Sequence, residues 1–252
     1  MRIINVRLSD TFGCNIVATA ILQSLRDKFP DAIINVYTKY PDLIFGLNEI
    51  DKIIDLKKEC LKNYNVDFKD YLKSRKPQES MPFRHLISHM FEVAESQLSV
   101  KLNRNFKPKI NLTEEEMKKA EKIVKSLSHG KPLIWLQTKT SEKKKDMPAI
   151  FWKELIKKEN NYEFVDLSSE VHSRRISIAI TKLCNMGVTL DTFLLHCSGA
   201  VKAKNVIAIM VSSHKEVVTY PNQIVIQGSI ENWKETLKEL MDKIKLHSYV
   251  PP

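Results

Sequence analysis

Three short segments of the chain gather side chains able to hold an anion or move a proton. Residues 137–146 (QTKTSEKKKD) place Thr138, Lys139, Thr140, Ser141 and the run Lys143, Lys144, Lys145 on one polar loop after an apolar stretch. Hydroxyls and ammonium groups together are what a diphosphate requires, because its oxygens take both hydrogen bonds and counter-charge. Residues 190–196 (LDTFLLH) put Asp191 and Thr192 where a helix starts, with His196 four residues beyond Thr192. The free N–H groups of a first helical turn can hold phosphate or sugar oxygens, and His196 is near enough to that end to share a ligand. Residues 9–15 (SDTFGCN) lie between a β-rich run and a helical pattern. Amide donors and the helix dipole favour an anionic or hydroxyl-rich ligand there, beside the Asp10 carboxylate and the side chains of Ser9, Cys14 and Asn15. Only Gly13 is present, so this is not a dinucleotide fingerprint. Each segment also has a purely local reading: a solvated charge run, a capped helix with a packed histidine, and an ordinary β–α turn.

Other chemistries find less support. His85 and His89 have i, i+4 spacing, but Leu86 stands where a zinc protease has Glu, so both histidines read as structural. There is no G-x-S-x-G elbow and no P-loop. No nucleic-acid module signature interleaves the basic residues with aromatics. Cys14, Cys60, Cys184 and Cys197 include no C-x-x-C pair, which argues against a zinc framework or a disulfide scaffold and suits a reducing cytoplasm. No metal and no cofactor are expected.

The 40 Lys and Arg against 30 Asp and Glu leave a formal charge of +10. That excess attracts phosphates, nucleic acid or acidic head groups without choosing among them, and lysines on solvated helix faces account for it equally well. The opening residues lack the apolar core of a signal peptide. No run approaches the roughly 18 apolar residues of a membrane span, so any membrane contact is expected from the surface, at the inner face.

The elements that must position these segments follow from periodicity. With 43% apolar and 28% charged residues, the 252-residue chain suits two globular domains of about 120 residues each. Residues 3–8, 32–37 and 52–56 read as buried strands, with a helix over 16–25 stopped by Phe29-Pro30-Asp31. Residues 58–80 read as short helices and loop, 82–98 as a helix, and 108–112 as a strand or linker. Thr113 and Glu116 form a capping box for a helix ending near His129-Gly130. A second series then repeats the plan: strands at 133–137, 162–167, 187–190, 206–211 and 224–226, and helices at 148–158, 173–184, 192–201 and 230–246. Alternation of this kind implies α/β architecture with parallel sheets. The expectation is two Rossmann-like doubly wound domains facing a cleft, residues 1–128 and 129–252, with ligands outside the carboxyl ends of the strands.

Taken together the segments resemble the family 9 glycosyltransferases, the ADP-heptose:lipopolysaccharide heptosyltransferases and their relatives, which are GT-B enzymes. Arg7-Leu8-Ser9, Gly13 and Phe29-Pro30-Asp31-Ala32 fit that family's opening pattern, and Asn48-Glu49-Ile50-Asp51-Lys52-Ile53-Ile54 its next element. Lys145-Asp146-Met147-Pro148 and Trp152 follow its K-x-W-P plan with Met147 replacing Trp. Asp191, Thr192 and His196 match the Asp, Thr and His of its D-T-G-P-x-H motif, while the Gly-Pro pair is missing. The family's Gly-Asp carboxylate is taken to be the catalytic base; here Cys14 follows Gly13, and Asp10 is the substitute in the same loop.

The resemblance implies that residues 129–252 bind a nucleotide-diphosphate sugar. Thr138, Lys139 and Lys145 would contact phosphates, and Asp191, Thr192 and His196 the diphosphate and sugar. The acceptor would enter from residues 1–128, through the loop of Ser9, Gly13, Cys14 and Asn15, and Asp10 would take its proton. Such transfer is inverting and metal-independent. The charge suits an anionic acceptor, either a lipopolysaccharide-type glycan or a modified DNA base. The alternative is a non-catalytic GT-B-like protein that binds a nucleotide or a partner.

Overall fold

The computed structural model describes residues 1–72, 85–169 and 171–248. These divide into two compact units, one through Asn111 and one from Leu112. The first unit contains β1 (Ile3–Arg7), α1 (Phe12–Lys28), β2 (Ile33–Thr38), α2 (Pro41–Ile44), β3 (Lys52–Asp55), β4 (Val66–Asp67) and α3 (Leu86–Leu98). The second contains α4 (Glu114–Ser128), β5 (Leu133–Leu136), α5 (Ala149–Lys158), β6 (Glu163–Asp166), α6 (Arg174–Leu183), β7 (Met186–Leu190), α7 (Phe193–Ala200), β8 (Val206–Met210), α8 (Lys215–Val218), β9 (Gln223–Gln227) and α9 (Trp233–Ser248).

Both sheets are parallel throughout. Their strand orders are β3-β2-β1-β4 and β6-β5-β7-β8-β9. In the first, the chain winds outward from β1 and then returns to β1's free edge with β4. In the second, it leaves β5 for β6 and then returns to pair β7 with β5. Each order has one point where the winding reverses, between β1 and β4 and between β5 and β7. Ligand crevices open at such points, outside the carboxyl ends of the strands.

The apolar runs explain the strands. β5 (LIWL), β7 (MGVTL) and β8 (VIAIM) are buried at every position, as a parallel strand must be when both faces are covered. Leu136, Val188, Ile207 and Ile226 pack with Met147, Phe151 and Leu155 at and after the start of α5, and with Leu237, Leu240 and Ile244 of α9. Trp135 lies directly opposite Gly187 in the ladder. A Cβ on Gly187 would stand 1.9 Å from the indole Cε2, so only glycine lets that ring lie across β7.

The unit boundary differs from the expected division at 128/129, because α4 packs against α6. Thr113 and Glu116 make the capping box: the Glu116 N–H donates to Thr113 Oγ1 (3.2 Å) and the Thr113 N–H to Glu116 Oε2 (2.8 Å). The same Glu116 carboxylate receives the buried Arg175 guanidinium of α6, with Nη2 at 2.8 Å. A residue expected only as a helix cap is therefore also the bond that ties α4 into the second unit. The Arg175 guanidinium holds the Glu116 carboxyl below its ordinary range against the opposing effect of burial.

Residues 108–112, expected as a strand or linker, carry no regular element. Two further differences are local. The polar stretch after residue 58 contains the two-residue β4, which is too short to show periodicity. α2 and α8 are single turns that sequence patterning does not reveal. The part of the expected 58–80 segment after residue 72, and the first residues of the expected 82–98 helix, lie outside the described residues.

After α3 the chain turns through Ser99 in the left-handed region (φ 53°). The buried Glu95 then accepts the Leu102 N–H at 3.0 Å and pairs with Arg104 and Lys101. The Arg104 guanidinium, aided by Leu102 and Lys101, brings the Glu95 carboxyl down to about 2 although burial opposes it.

Two outcomes follow for stability. Gly187→Ala should cost about 3 kcal/mol, the upper end of overpacking penalties, measured by urea denaturation. Glu95→Gln should cost roughly 1–3 kcal/mol at neutral pH, as expected for hydrogen bonds to a charged group. Because the folded-state pKa is depressed, this stabilisation is present above the ordinary glutamate value near 4.5 and is lost as pH falls toward about 2. The difference between parent and variant should therefore shrink in denaturation curves below pH 4.5.

Candidate functional site

In the second unit the loops after β5 and β7 bring together two of the segments singled out by composition. The loop after β5 folds on itself: the Thr140 N–H donates to Asp146 Oδ1 (2.7 Å) and the Glu142 N–H to Thr140 Oγ1 (3.0 Å). A single 3₁₀ turn, Lys143–Lys145, follows. Met147, 3% exposed, then plugs into the core, and Pro148 caps α5 in extended conformation. That anchor fixes Lys145 two residues upstream. Its ammonium lies 3.0 Å from Asp191 Oδ2 and 3.0 Å from Glu142 Oε1.

Asp191 follows β7 directly. Its Oδ2 also accepts the hydroxyl of Ser213, from the loop after β8. Burial pulls the Lys145 pKa down, but the Asp191 and Glu142 carboxylates outweigh it and the net shift is upward. Burial pushes the Asp191 carboxyl up, but Ser213, Lys145 and His196 outweigh it and hold the group below its ordinary value. Both therefore stay ionised at neutral pH. His196, one turn into α7, lies close enough to act on the same carboxylate. Its Nδ1 is 3.0 Å from the Tyr220 hydroxyl. Lys145 and Asp191 thus meet, while His196 packs against Tyr220.

Thr192 is the N-cap residue of α7, but its side chain makes no capping hydrogen bond, and Asp191 is engaged elsewhere. The Thr192 side chain therefore caps none of the first-turn amides of α7. Thr138 and Lys139 turn to a neighbouring strand instead. The Thr138 hydroxyl donates to Asp166 Oδ2 (2.6 Å) at the end of β6. The N–H groups of Thr138 and Lys139 both donate to Ser168 Oγ, at 2.6 and 3.0 Å. The Lys139 side chain is exposed.

In the first unit, the loop after β1 is built around Asn15. Its Nδ2 donates to the carbonyls of Ser9 (2.7 Å) and Thr11 (2.6 Å), and its Oδ1 accepts the Thr38 hydroxyl at 2.6 Å. Ser9 and Asn15 are buried, and Cys14 turns inward, its Sγ 2.8 Å from the Tyr71 hydroxyl. Gly13 lies in the first turn of α1. Asp10 remains at the surface, with Oδ2 2.8 Å from the Lys39 ammonium and its backbone carbonyl accepting from Tyr40 (2.9 Å). Its Oδ1 is buried and has no hydrogen-bond partner among the described residues.

Sequence reasoning missed Ser213, Tyr220, Asp166 and Ser168. Asp166 carried the one usable signal, a carboxylate at the carboxyl end of an apolar strand. Ser213 and Tyr220 belong to a loop whose course depends on β8 and β9 pairing. Among the described residues, no three His, Cys, Asp or Glu side chains group where a metal could be held, and no helix is long and apolar enough to cross a membrane.

Two parallel sheets wound in this way fit a GT-B-like fold. Solved structures that share it include the following three. A family 9 glycosyltransferase from Veillonella parvula DSM 2008 matches with a TM-score of 0.70 and 19% identity, over 94% of this chain and 91% of that one. The ADP-heptose lipopolysaccharide heptosyltransferase II of E. coli matches with a TM-score of 0.72 and 14% identity, over 99% and 100%. The E. coli heptosyltransferase WaaC with ADP matches with a TM-score of 0.64 and 11% identity, over 98% and 100%. At such identities the likeness is one of fold. No protein-family model and no curated protein matches the sequence.

The Lys145–Asp191 contact is open to a direct check. In a double-mutant cycle with Lys145→Met and Asp191→Asn, thermal denaturation should give a coupling energy of about 1–3 kcal/mol. A coupling near zero would mean the two segments do not meet in solution.

Proposed function

We propose that the protein is a glycosyltransferase that takes a sugar from a nucleotide-diphosphate donor held by the second unit. The observation that carries this reading is the meeting of Lys145 and Asp191 beside the amino end of α7, where the loops after β5 and β7 lie next to one another. A pyrophosphate fits that chemistry: amide donors at a helix start and a lysine already held charged. The solved relatives described as heptosyltransferases, one of them with ADP, support the choice of ligand.

In this mechanism the donor diphosphate takes the Lys145 ammonium and the first-turn amides of α7. Asp191 and His196 face the sugar end, and Thr138 and Lys139 line the β6 side. The acceptor hydroxyl, brought by the first unit, attacks the anomeric carbon on the face opposite the diphosphate. Its oxygen bonds to that carbon, the bond to the diphosphate breaks, and the nucleoside diphosphate leaves. The hydroxyl proton passes to Asp10, and the configuration inverts. Charge growing on the leaving group is offset by Lys145 and the amides, an electrostatic contribution of several kcal/mol in such sites, about 2.7–4 per donor where measured. An acceptor rich in phosphate suits the net charge of +10.

A second reading has its own observation. Cys14 occupies the position next to Gly13 where the resembled family has its carboxylate, and it is buried against Tyr71. A protein that binds the nucleotide without turnover would tolerate that.

Calorimetric titration should detect binding of at least one ADP-, UDP-, GDP- or CDP-sugar, weakened at least tenfold by Lys145→Met. Asp10→Asn should lower turnover by roughly 10²–10⁴ with donor affinity unchanged. Absence of affinity for every nucleotide sugar defeats the transferase reading. Binding without turnover in the parent protein selects the second. A steep fall of DNA affinity with salt would identify nucleic acid as the acceptor; a flat response points to a glycan.

A further inference from the structure

We infer that Tyr220 is a positioning residue of the donor site, acting through His196; this rests on the transferase reading and names a component it does not contain. Tyr220 lies on the connection from α8 to β9. Its hydroxyl is 3.0 Å from His196 Nδ1, and the two rings meet edge to face with centroids 5.9 Å apart. Both residues are buried, at 8% and 5% exposure. A hydroxyl in such a place is costly unless it is hydrogen-bonded, and a phenylalanine would fill the same space. Packing therefore does not explain the hydroxyl; its bond to the imidazole does.

The surroundings hold that hydroxyl in place. The Tyr220 N–H donates to Gln223 Oε1 at 3.0 Å. Gln223 is itself buried, and its Nε2 donates to the Leu195 carbonyl (2.9 Å) and to Ser198 Oγ (3.0 Å) on α7. The Tyr220 segment is thereby stapled to the helix that carries His196. Gly199, one turn below on the same helix, lets the phenol ring approach: a Cβ there would lie 2.6 Å from Tyr220 Cδ2. A side-chain amide and a missing Cβ serve one contact.

Engaging Nδ1 sets the rotation of the imidazole and the tautomer of the ring, and so decides what its other nitrogen presents. His196 stands on the first turn of α7, which begins two residues after Asp191, and after Ser213 and Lys145 it too lowers that carboxyl. The loop after β8 also supplies Ser213 to that carboxylate. The β8–β9 connection thus orients two members of the site through two hydroxyls.

The test is Tyr220→Phe, read by titration with ADP, UDP, GDP and CDP and by the ring nitrogen NMR shifts of His196. The variant should keep the parent's circular dichroism and bind its preferred nucleotide about tenfold more weakly, the loss expected for one hydrogen bond that orders a ligand group. The His196 ring shifts should move in the free protein. In a His196→Ala background, Tyr220→Phe should have no further effect on affinity. Equal affinity of parent and variant, unmoved His196 shifts, or the same loss in both backgrounds overturns the inference while leaving the donor site standing. A parent protein that binds none of the four nucleotides overturns the transferase reading and this inference with it.

Discussion

The second unit is organised around an ammonium and a carboxylate kept together out of water. Lys145 and Asp191 retain 20% and 11% side-chain exposure. Desolvation opposes the charge on each, and removing two ions from water costs several kcal/mol apiece. Their mutual attraction recovers that only with help, which Glu142 gives to Lys145 and which Ser213 and His196 give to Asp191. An apolar pair of the same volume would pack at least as stably. Stability of the fold therefore does not account for the pair. What the pair does provide is an ammonium held charged beside the amino end of α7.

Two constraints from the core deliver that pair. The winding of the chain places the loops after β5 and β7 side by side, so the segments carrying Lys145 and Asp191 meet although they are far apart in sequence. Met147 and Pro148 then end the lysine loop rigidly, because one is buried in the core and the other starts α5. Gly187 leaves room for the Trp135 indole across β7, and so permits the β5–β7 register on which the meeting depends.

Much of this was legible in the chain. Runs such as VIAIM and LIWL announce buried parallel strands, and Thr113 with Glu116 announces a helix start, because both signals are local. What stayed hidden depends on pairing across distance. Glu116 reads as a cap, and nothing nearby in sequence says that Arg175 will claim it and move the unit boundary to 111/112. Cys14 and Asn15 read as loop residues on the acceptor side, yet a thiol and an amide can equally turn inward once Tyr71 and Thr38 arrive to bond them. Asp191 reads as a helix cap, but its Oδ2 faces the Lys145 ammonium at 3.0 Å and the Ser213 hydroxyl. The site residues were visible by type; their partners were not.

Each unit ends with a lysine facing an aspartate at the carboxyl edge of its sheet, and burial makes the two pairs physically different. Lys39 and Asp10 are about as close, at 2.8 Å, but 40% and 38% exposed. An ion pair that open to solvent is worth at most about 1 kcal/mol, so the Asp10 carboxylate can leave Lys39 at little cost, and its second oxygen is not held by any described residue. Asp191 has no such freedom: Lys145 and Ser213 fix the same oxygen from two sides. A group that must accept and later release a proton needs the loose arrangement, since a tight counter-ion would suppress its basicity. A group that must hold a ligand in register needs the rigid one. Burial therefore makes the Lys39–Asp10 pair easy to separate and the Lys145–Asp191 pair hard to separate.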